Sequence, residues 1–166
     1  MTPNVIGGRE LLKRAIKGEK DGLRFYTFLA EKATHPDAKR KLSRLAEDEK
    51  RHEAILMGIF KRLYHEEVGQ LPQEGISALA KFFDGSKSHG LQSEMQYIDL
   101  AIEAELAVAA FYKDSIETAE SDDLKQIYRD LADEEYRHFE LLKAEKEALG
   151  GNYYWFGYSE GAPMEE

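Results

Sequence analysis

Two stretches of the chain place a carboxylate and an imidazole three residues apart. LAEDEKRHEAIL, at 45–56, carries Glu49 and His52; LADEEYRHFELL, at 131–142, carries Glu135 and His138. On a helix, residues i and i+3 lie on one face, so each pair offers two adjoining metal ligands. A further glutamate, Glu19 or Glu105, stands 30 residues before each pair. The chain has no cysteine, which rules out a disulfide, a thiolate metal site and a thiol nucleophile. Any metal must therefore bind through oxygen and nitrogen, and mixed carboxylate and imidazole ligation suits iron or manganese better than copper or a structural zinc. A single E-x-x-H is common by chance and usually marks a solvated face, so the case depends on the elements that carry it.

Apolar residues step by threes and fours through four segments, the mark of amphipathic helices. The first, about 9–33, has Leu12, Ile16, Leu23, Tyr26 and Ala30 on its stripe, with Glu19 in the gap. The second, about 36–64, opens on Pro36 after the Thr34-His35-Pro36-Asp37 turn and carries Leu42, Leu45, Leu56 and Ile59, interrupted by Glu49 and His52. Gly69, Pro72, Gly75, Gly85 and Gly90 punctuate a crossover at about 65–92, with a short helix expected from Gly75 to Phe83. Ser93 and Gln96 make a capping box for a third helix, about 93–119, with Ile98, Ile102, Ala109, Tyr112 and Ile116 around Glu105. Ser121-Asp122-Asp123 opens a fourth, about 122–149, whose Tyr128, Leu131 and Leu142 flank Glu135 and His138. Gly150 and Gly151 stop it, and an aromatic tail fills 150–166.

The two halves superpose without a gap at an offset of 86 residues, with about 15 identities over roughly 42 paired positions. Ala15-Ile16 falls on Ala101-Ile102, Phe25-Tyr26 on Phe111-Tyr112, and Glu49, Arg51 and His52 on Glu135, Arg137 and His138. Two αα-hairpins joined by a long connection imply an all-α, ferritin-like four-helix bundle, with residues 1–166 forming one domain. In that bundle Glu19, Glu49, His52, Glu105, Glu135 and His138 all occupy positions where the period calls for apolar side chains. Burying an unpartnered carboxylate costs several kcal/mol, and no Lys or Arg shares these stripes between the first and last ligands. Two divalent cations would cancel four carboxylates, and two neutral imidazoles would complete their shells.

At 166 residues the chain is large enough to bury roughly two-thirds of its unfolded surface. Its net charge of -9 argues against nucleic acid or an anionic membrane as partner. No basic region precedes an apolar run at the start and no window approaches a membrane span, so a cytoplasmic location is expected.

The ligand constellation is the one described for di-iron and di-manganese carboxylate proteins of ferritin-like fold. Within that group A-I-x-x-E19-x-x-x-x-x-F-Y26 with E49-K-R-H52, and A-I-x-x-E105-x-x-x-x-x-F-Y112 with E135-Y-R-H138, resemble the rubrerythrin family over about 15–149. The resemblance implies that Glu49 and Glu135 bridge two iron ions (manganese being the alternative), while Glu19 with His52 and Glu105 with His138 cap one ion each. It implies reduction of hydrogen peroxide, with ferroxidase chemistry on O2 and a metal-stabilised binding module as alternatives. Rubrerythrins typically add a rubredoxin domain with four Cys; this chain has none, so its route for electrons is unknown and a separate, unidentified donor protein is expected. The family's further Glu one turn after the third-helix ligand is here Val108, which predicts a more symmetric site. Glu103 points about 200° away from Glu105 and is not counted. A homodimer is expected.

Tyr26 and Tyr112 follow their glutamates by two turns, placed either to hydrogen-bond ligands and guard against stray radicals or to pack as ordinary core aromatics. Asp48, Glu134, Arg51 and Arg137 either support the ligands or form surface pairs. His35, His65 and His89 are expected in solvated turns. Tyr153, Tyr154, Trp155, Phe156 and Tyr158 are too apolar for a free end and should cover the bundle or a dimer partner, or dock an electron donor.

Overall fold

The computed structural model describes residues 7–82 and 93–157. Among them run four long helices and one short one: α1 (Gly8–Lys32), α2 (Pro36–Tyr64), α3 (Leu79–Phe82), α4 (Glu94–Ser115) and α5 (Asp122–Ala148). Their starts follow local chemistry. Pro36 sits in the first turn of α2, where a missing N–H costs nothing, and His35 Nδ1 accepts from the Asp37 amide at 3.2 Å. Ser93 and Gln96 form the full capping box at α4, and Ser121 Oγ accepts from the Leu124 amide at α5. Each such cap is worth about 1 kcal/mol. At its end α2 turns on His65 in the left-handed conformation (φ 53°).

The hairpins α1/α2 and α4/α5 pack internally along their lengths and meet through α1 against α4 and α2 against α5. Their inner faces form two apolar clusters. One holds Phe25, Tyr26, Leu29, Leu42, Leu45, Ile98, Ala101, Leu142 and Trp155; the other holds Leu12, Ile16, Leu56, Phe60, Tyr112, Tyr128 and Leu131. On every long helix the stripe passes from one cluster to the other, and at each crossing it carries the glutamate or the Glu–His pair singled out by spacing. The polar belt is thus sealed at both ends by side chains that exclude water.

Three expectations need correction. The third helix ends at Ser115 rather than 119, where Ser115 Oγ bonds the Phe111 carbonyl and Thr118 Oγ1 the Ser115 carbonyl, hydroxyls competing for groups the helix would use. Its buried face is Tyr97, Ile98, Ala101, Ala104, Glu105, Val108, Tyr112 and Ser115, whereas Ile102, Ala109 and Ile116 are only half-buried. The crossover helix is a single turn, Leu79–Phe82, entered where Ser77 Oγ accepts from the Leu79 amide at 3.2 Å, and Gly75 precedes it in a tight place where a Cβ would lie 2.7 Å from Asp21 Oδ2 and 2.8 Å from Ala80 Cβ. Phe83, Gly85, His89, Gly90 and Tyr158 lie outside the described residues.

The tail folds back over the end of the bundle. The Trp155 ring is buried, its Nε1 donates to Glu145 at 3.2 Å, and its carbonyl accepts from the Thr34 amide at 2.9 Å. Tyr153 also donates to Glu145, and the Phe156 amide donates to Glu94 at 2.7 Å. Among the described residues no helix is long and apolar enough to cross a membrane.

Candidate metal centre

All six residues singled out by spacing converge midway along the bundle. One donor atom each from Glu19, Glu49, His52 and Glu135 lie within 4.8 Å of one another, and the same holds for Glu49, Glu105, Glu135 and His138. Glu49 and Glu135 belong to both groups. Glu19, His52 and Glu135 have no measurable exposure, and Glu49, Glu105 and His138 are buried.

Four carboxylates in so small a volume repel one another and lose hydration. Burial first, then the charges of Glu135, Glu19 and Glu105, push the Glu49 carboxyl well above the usual carboxylate range. Burial and the charges of Glu19 and Glu105 do the same to Glu135. Burial acts upward on Glu19 too, but hydrogen bonds with Glu49, His52 and Tyr112 outweigh it and leave that carboxyl below its ordinary value. Burial opposes a charge on His52, yet its contacts with Glu135 and Glu19 win, holding the ring up to about 11. His138 is raised by the same competition. Glu49 Oε1 remains buried with no hydrogen-bond partner among the described residues, His138 Nδ1 standing 3.4 Å away without bonding geometry. A buried carboxylate oxygen left without a partner, inside a set of hard oxygen and nitrogen donors, fits a pair of divalent ions such as iron or manganese.

Around this cluster the two hairpins support each other crosswise. His52 turns Nδ1 inward, 2.9 Å from Glu135, and its outer Nε2 meets Glu134 on α5 at 2.8 Å. His138 turns Nδ1 inward, 3.2 Å from Glu135, and its Nε2 meets Asp48 on α2 at 3.0 Å. Such outer carboxylates fix the tautomer and orientation of a ligating imidazole. The Arg51 guanidinium ties Glu134 to Asp48 across the helices, at 2.5 and 3.3 Å. Burial would raise Glu134, but Arg51 and His52 prevail and bring its carboxyl down to about 2. Asp48 and Glu134 therefore brace the two imidazoles, with Arg51 joining them, rather than forming isolated surface pairs. Arg137, the partner of Arg51 in the repeat, instead bonds the Asp133 carbonyl.

The tyrosines cross in the same way: Tyr26 donates to Glu105, and Tyr112 donates to Glu19. Both rings are fully buried, and burial with the neighbouring carboxylates pushes both phenols well up, so each keeps its proton. Glu103 is exposed, and Val108 packs in the apolar cluster beside Tyr112. His35 departs from expectation: it is half-buried, caps α2 and meets the rings of Tyr153 and Tyr154 edge-on at 4.9 and 5.2 Å. His65 is exposed as expected.

One participant carried no signal in its type. A Cβ on Gly22 would lie 2.9 Å from Glu49 Oε2 and 3.1 Å from its carboxyl carbon, so the missing side chain makes room for that carboxylate. The repeat held the clue, since Gly22 aligns with Val108.

A family model described as Rubrerythrin matches residues 10–146. Among solved structures, a hypothetical protein from Pyrococcus furiosus shares 32% identity, with a TM-score of 0.74 over 88% of this chain and 92% of that one. CopM in its Cu(I)-bound form matches with a TM-score of 0.68 over 86% of this chain and 97% of its own, at 12% identity, a likeness of fold alone. No curated protein matches.

Proposed function

The chain belongs to the rubrerythrin family, and from that premise we propose that it is a non-haem di-iron oxidoreductase that reduces hydrogen peroxide to water. Glu19 and His52 would hold one ion, Glu105 and His138 the other, with Glu49 and Glu135 shared. The observation that carries this reading is that sharing: two four-residue donor groups overlap in the two carboxylates contributed by the duplicated E-x-x-H pairs. Two ferrous ions so held supply the two electrons that peroxide requires, and manganese is the alternative metal.

The chain's own residues do the rest. Glu134 and Asp48 hold the outer nitrogens of His52 and His138, keeping each Nδ1 aimed inward. Tyr112 and Tyr26 fix the outer glutamates through phenols that stay protonated. The apolar clusters above and below keep bulk water from the belt, which strengthens every electrostatic contact within it. On this reading the protein works in the cytoplasm as a homodimer, with electrons arriving from a separate donor protein.

The test is to load the protein with ferrous iron anaerobically, then mix it with one equivalent of peroxide or with O2. Rapid oxidation by peroxide and slow reaction with O2 is expected. The reverse order would make it a ferroxidase, and protein that takes up no iron would leave only a binding bundle.

A further inference from the structure

The ligands repeat between halves, but the rings behind them do not. On one side Tyr112, hydrogen-bonded to Glu19, stacks on Tyr128 with centroids 5.9 Å apart and planes at 30°. Tyr128 is buried in the same apolar cluster against which Tyr64 packs from the end of α2. Tyr64 is half-exposed, donates to Glu120 Oε1 at 3.3 Å and lies under the Arg9 guanidinium at 4.9 Å. On the other side, the repeat places Leu42 where Tyr128 stands and Gly150 where Tyr64 stands. Phe25 lies against Tyr26 as its repeat Phe111 lies against Tyr112, and behind Phe25 stands Phe82, a ring far harder to oxidise than a phenol.

We infer that Tyr64, Tyr128 and Tyr112 form a one-sided path that conducts electrons from the surface at the end of α2 to the buried carboxylate cluster. The inference rests on the metal-site reading above. The carboxylate cluster is buried, so reducing equivalents must reach it through the protein packed around it. Both ends of the path are phenols with a carboxylate acceptor. When Tyr64 gives up an electron its proton shifts to Glu120 and returns as the next electron arrives, while the stacked rings of Tyr128 and Tyr112 span the distance to the cluster without being deprotonated. The path carries no net proton: two one-electron donors are each oxidised once, and H2O2 with two electrons and two solvent protons gives two waters.

The test uses iron-loaded protein oxidised by one equivalent of peroxide and then mixed anaerobically with ascorbate, following the visible absorption of the oxidised centre. Tyr128→Leu, which copies Leu42 of the other half, should slow re-reduction by about tenfold or more while iron content and the peroxide-driven oxidation stay as in wild type. Tyr64→Leu, at a half-exposed position that should fold without difficulty, should slow it in the same direction. Tyr97→Leu, an aromatic in the opposite apolar cluster, should leave the rate unchanged. A second readout is freeze-quench EPR after excess peroxide, with ring-deuterated tyrosine to assign the signal. A tyrosyl radical lost in Tyr64→Leu supports the path. Wild-type re-reduction in both Tyr128→Leu and Tyr64→Leu, or equal slowing by Tyr97→Leu, would overturn it. Wild type that holds no iron would instead overturn the reading on which it rests.

Discussion

The α1/α2 and α4/α5 hairpins are two versions of one unit, and they agree only where they face each other. Glu19, Tyr26, Glu49 and His52 have identical partners in Glu105, Tyr112, Glu135 and His138, and the tyrosine contacts and the outer carboxylate contacts of both histidines cross from one hairpin to the other. At particular positions close by, the agreement breaks. Gly22 leaves room for Glu49 where Val108 fills space, Arg51 ties two carboxylates together where Arg137 bonds its own helix, and Tyr128 stands opposite Leu42 in the alignment. Residues that converge on one buried cluster are constrained from both halves at once. A residue that only packs is free to diverge, and the divergent positions are where one side acquires properties the other lacks.

The sharpest way to break this comparison is to remove ligands one at a time. Glu49→Ala and Glu135→Ala should each cost both ions, because each carboxylate serves both donor groups. Glu19→Ala and Glu105→Ala should each cost one. Metal analysis of the four proteins checks this, and a shared-ligand variant that kept two ions would contradict the assignment.

Next in size are the positions where the halves differ. Gly22→Ala puts a methyl group 2.9 Å from Glu49 Oε2, so the carboxylate must move, and iron affinity should fall while Tm changes little. Val108→Ala, at the aligned position, should keep the metal and lose about 1–3 kcal/mol of stability from a cavity in the core. Calorimetric unfolding with metal titration separates the two outcomes. Arg51→Ala should weaken metal binding by roughly tenfold, the lower end for residues that orient ligands, and Arg137→Ala should not.

The smallest effect is a pH dependence shared by both halves. Glu49 and Glu135 have carboxyls raised in the folded state, and His52 is raised to about 11. A raised group stabilises fully below its unfolded value and loses that contribution as pH rises through the folded one. The metal-free protein should therefore lose stability from neutral toward alkaline pH. Loading with two divalent ions at neutral pH should release up to about four protons, from Glu49, Glu135, His52 and His138, measurable in weakly buffered solution. Stability would then be retained at alkaline pH in the loaded protein alone.

The ligands were legible because a charged residue interrupting an apolar stripe is a local signal, and its repetition at an offset of 86 made chance a poor explanation. Pro36, the Ser93–Gln96 box and Ser121 were legible for the same reason: capping is decided by a few neighbouring residues. What escaped depends on the neighbouring helix. Helix α4 is apolar nearly all round, so its period could not say that Ala101, Ala104 and Val108, rather than Ile102 and Ala109, face inward. That Asp48 would hold His138 and Glu134 would hold His52 required the facing of α2 and α5. His35 looked like a turn residue until the tail arrived to cover it, and Gly22 has no side chain to form a pattern.

The central claim is that the two halves together hold one cluster of two ions. The most direct test is anaerobic titration of ferrous iron into the metal-free wild-type protein, followed by equilibrium separation and iron analysis. Binding that saturates at two irons per chain is the predicted result; saturation at one, or no uptake at all, would contradict it.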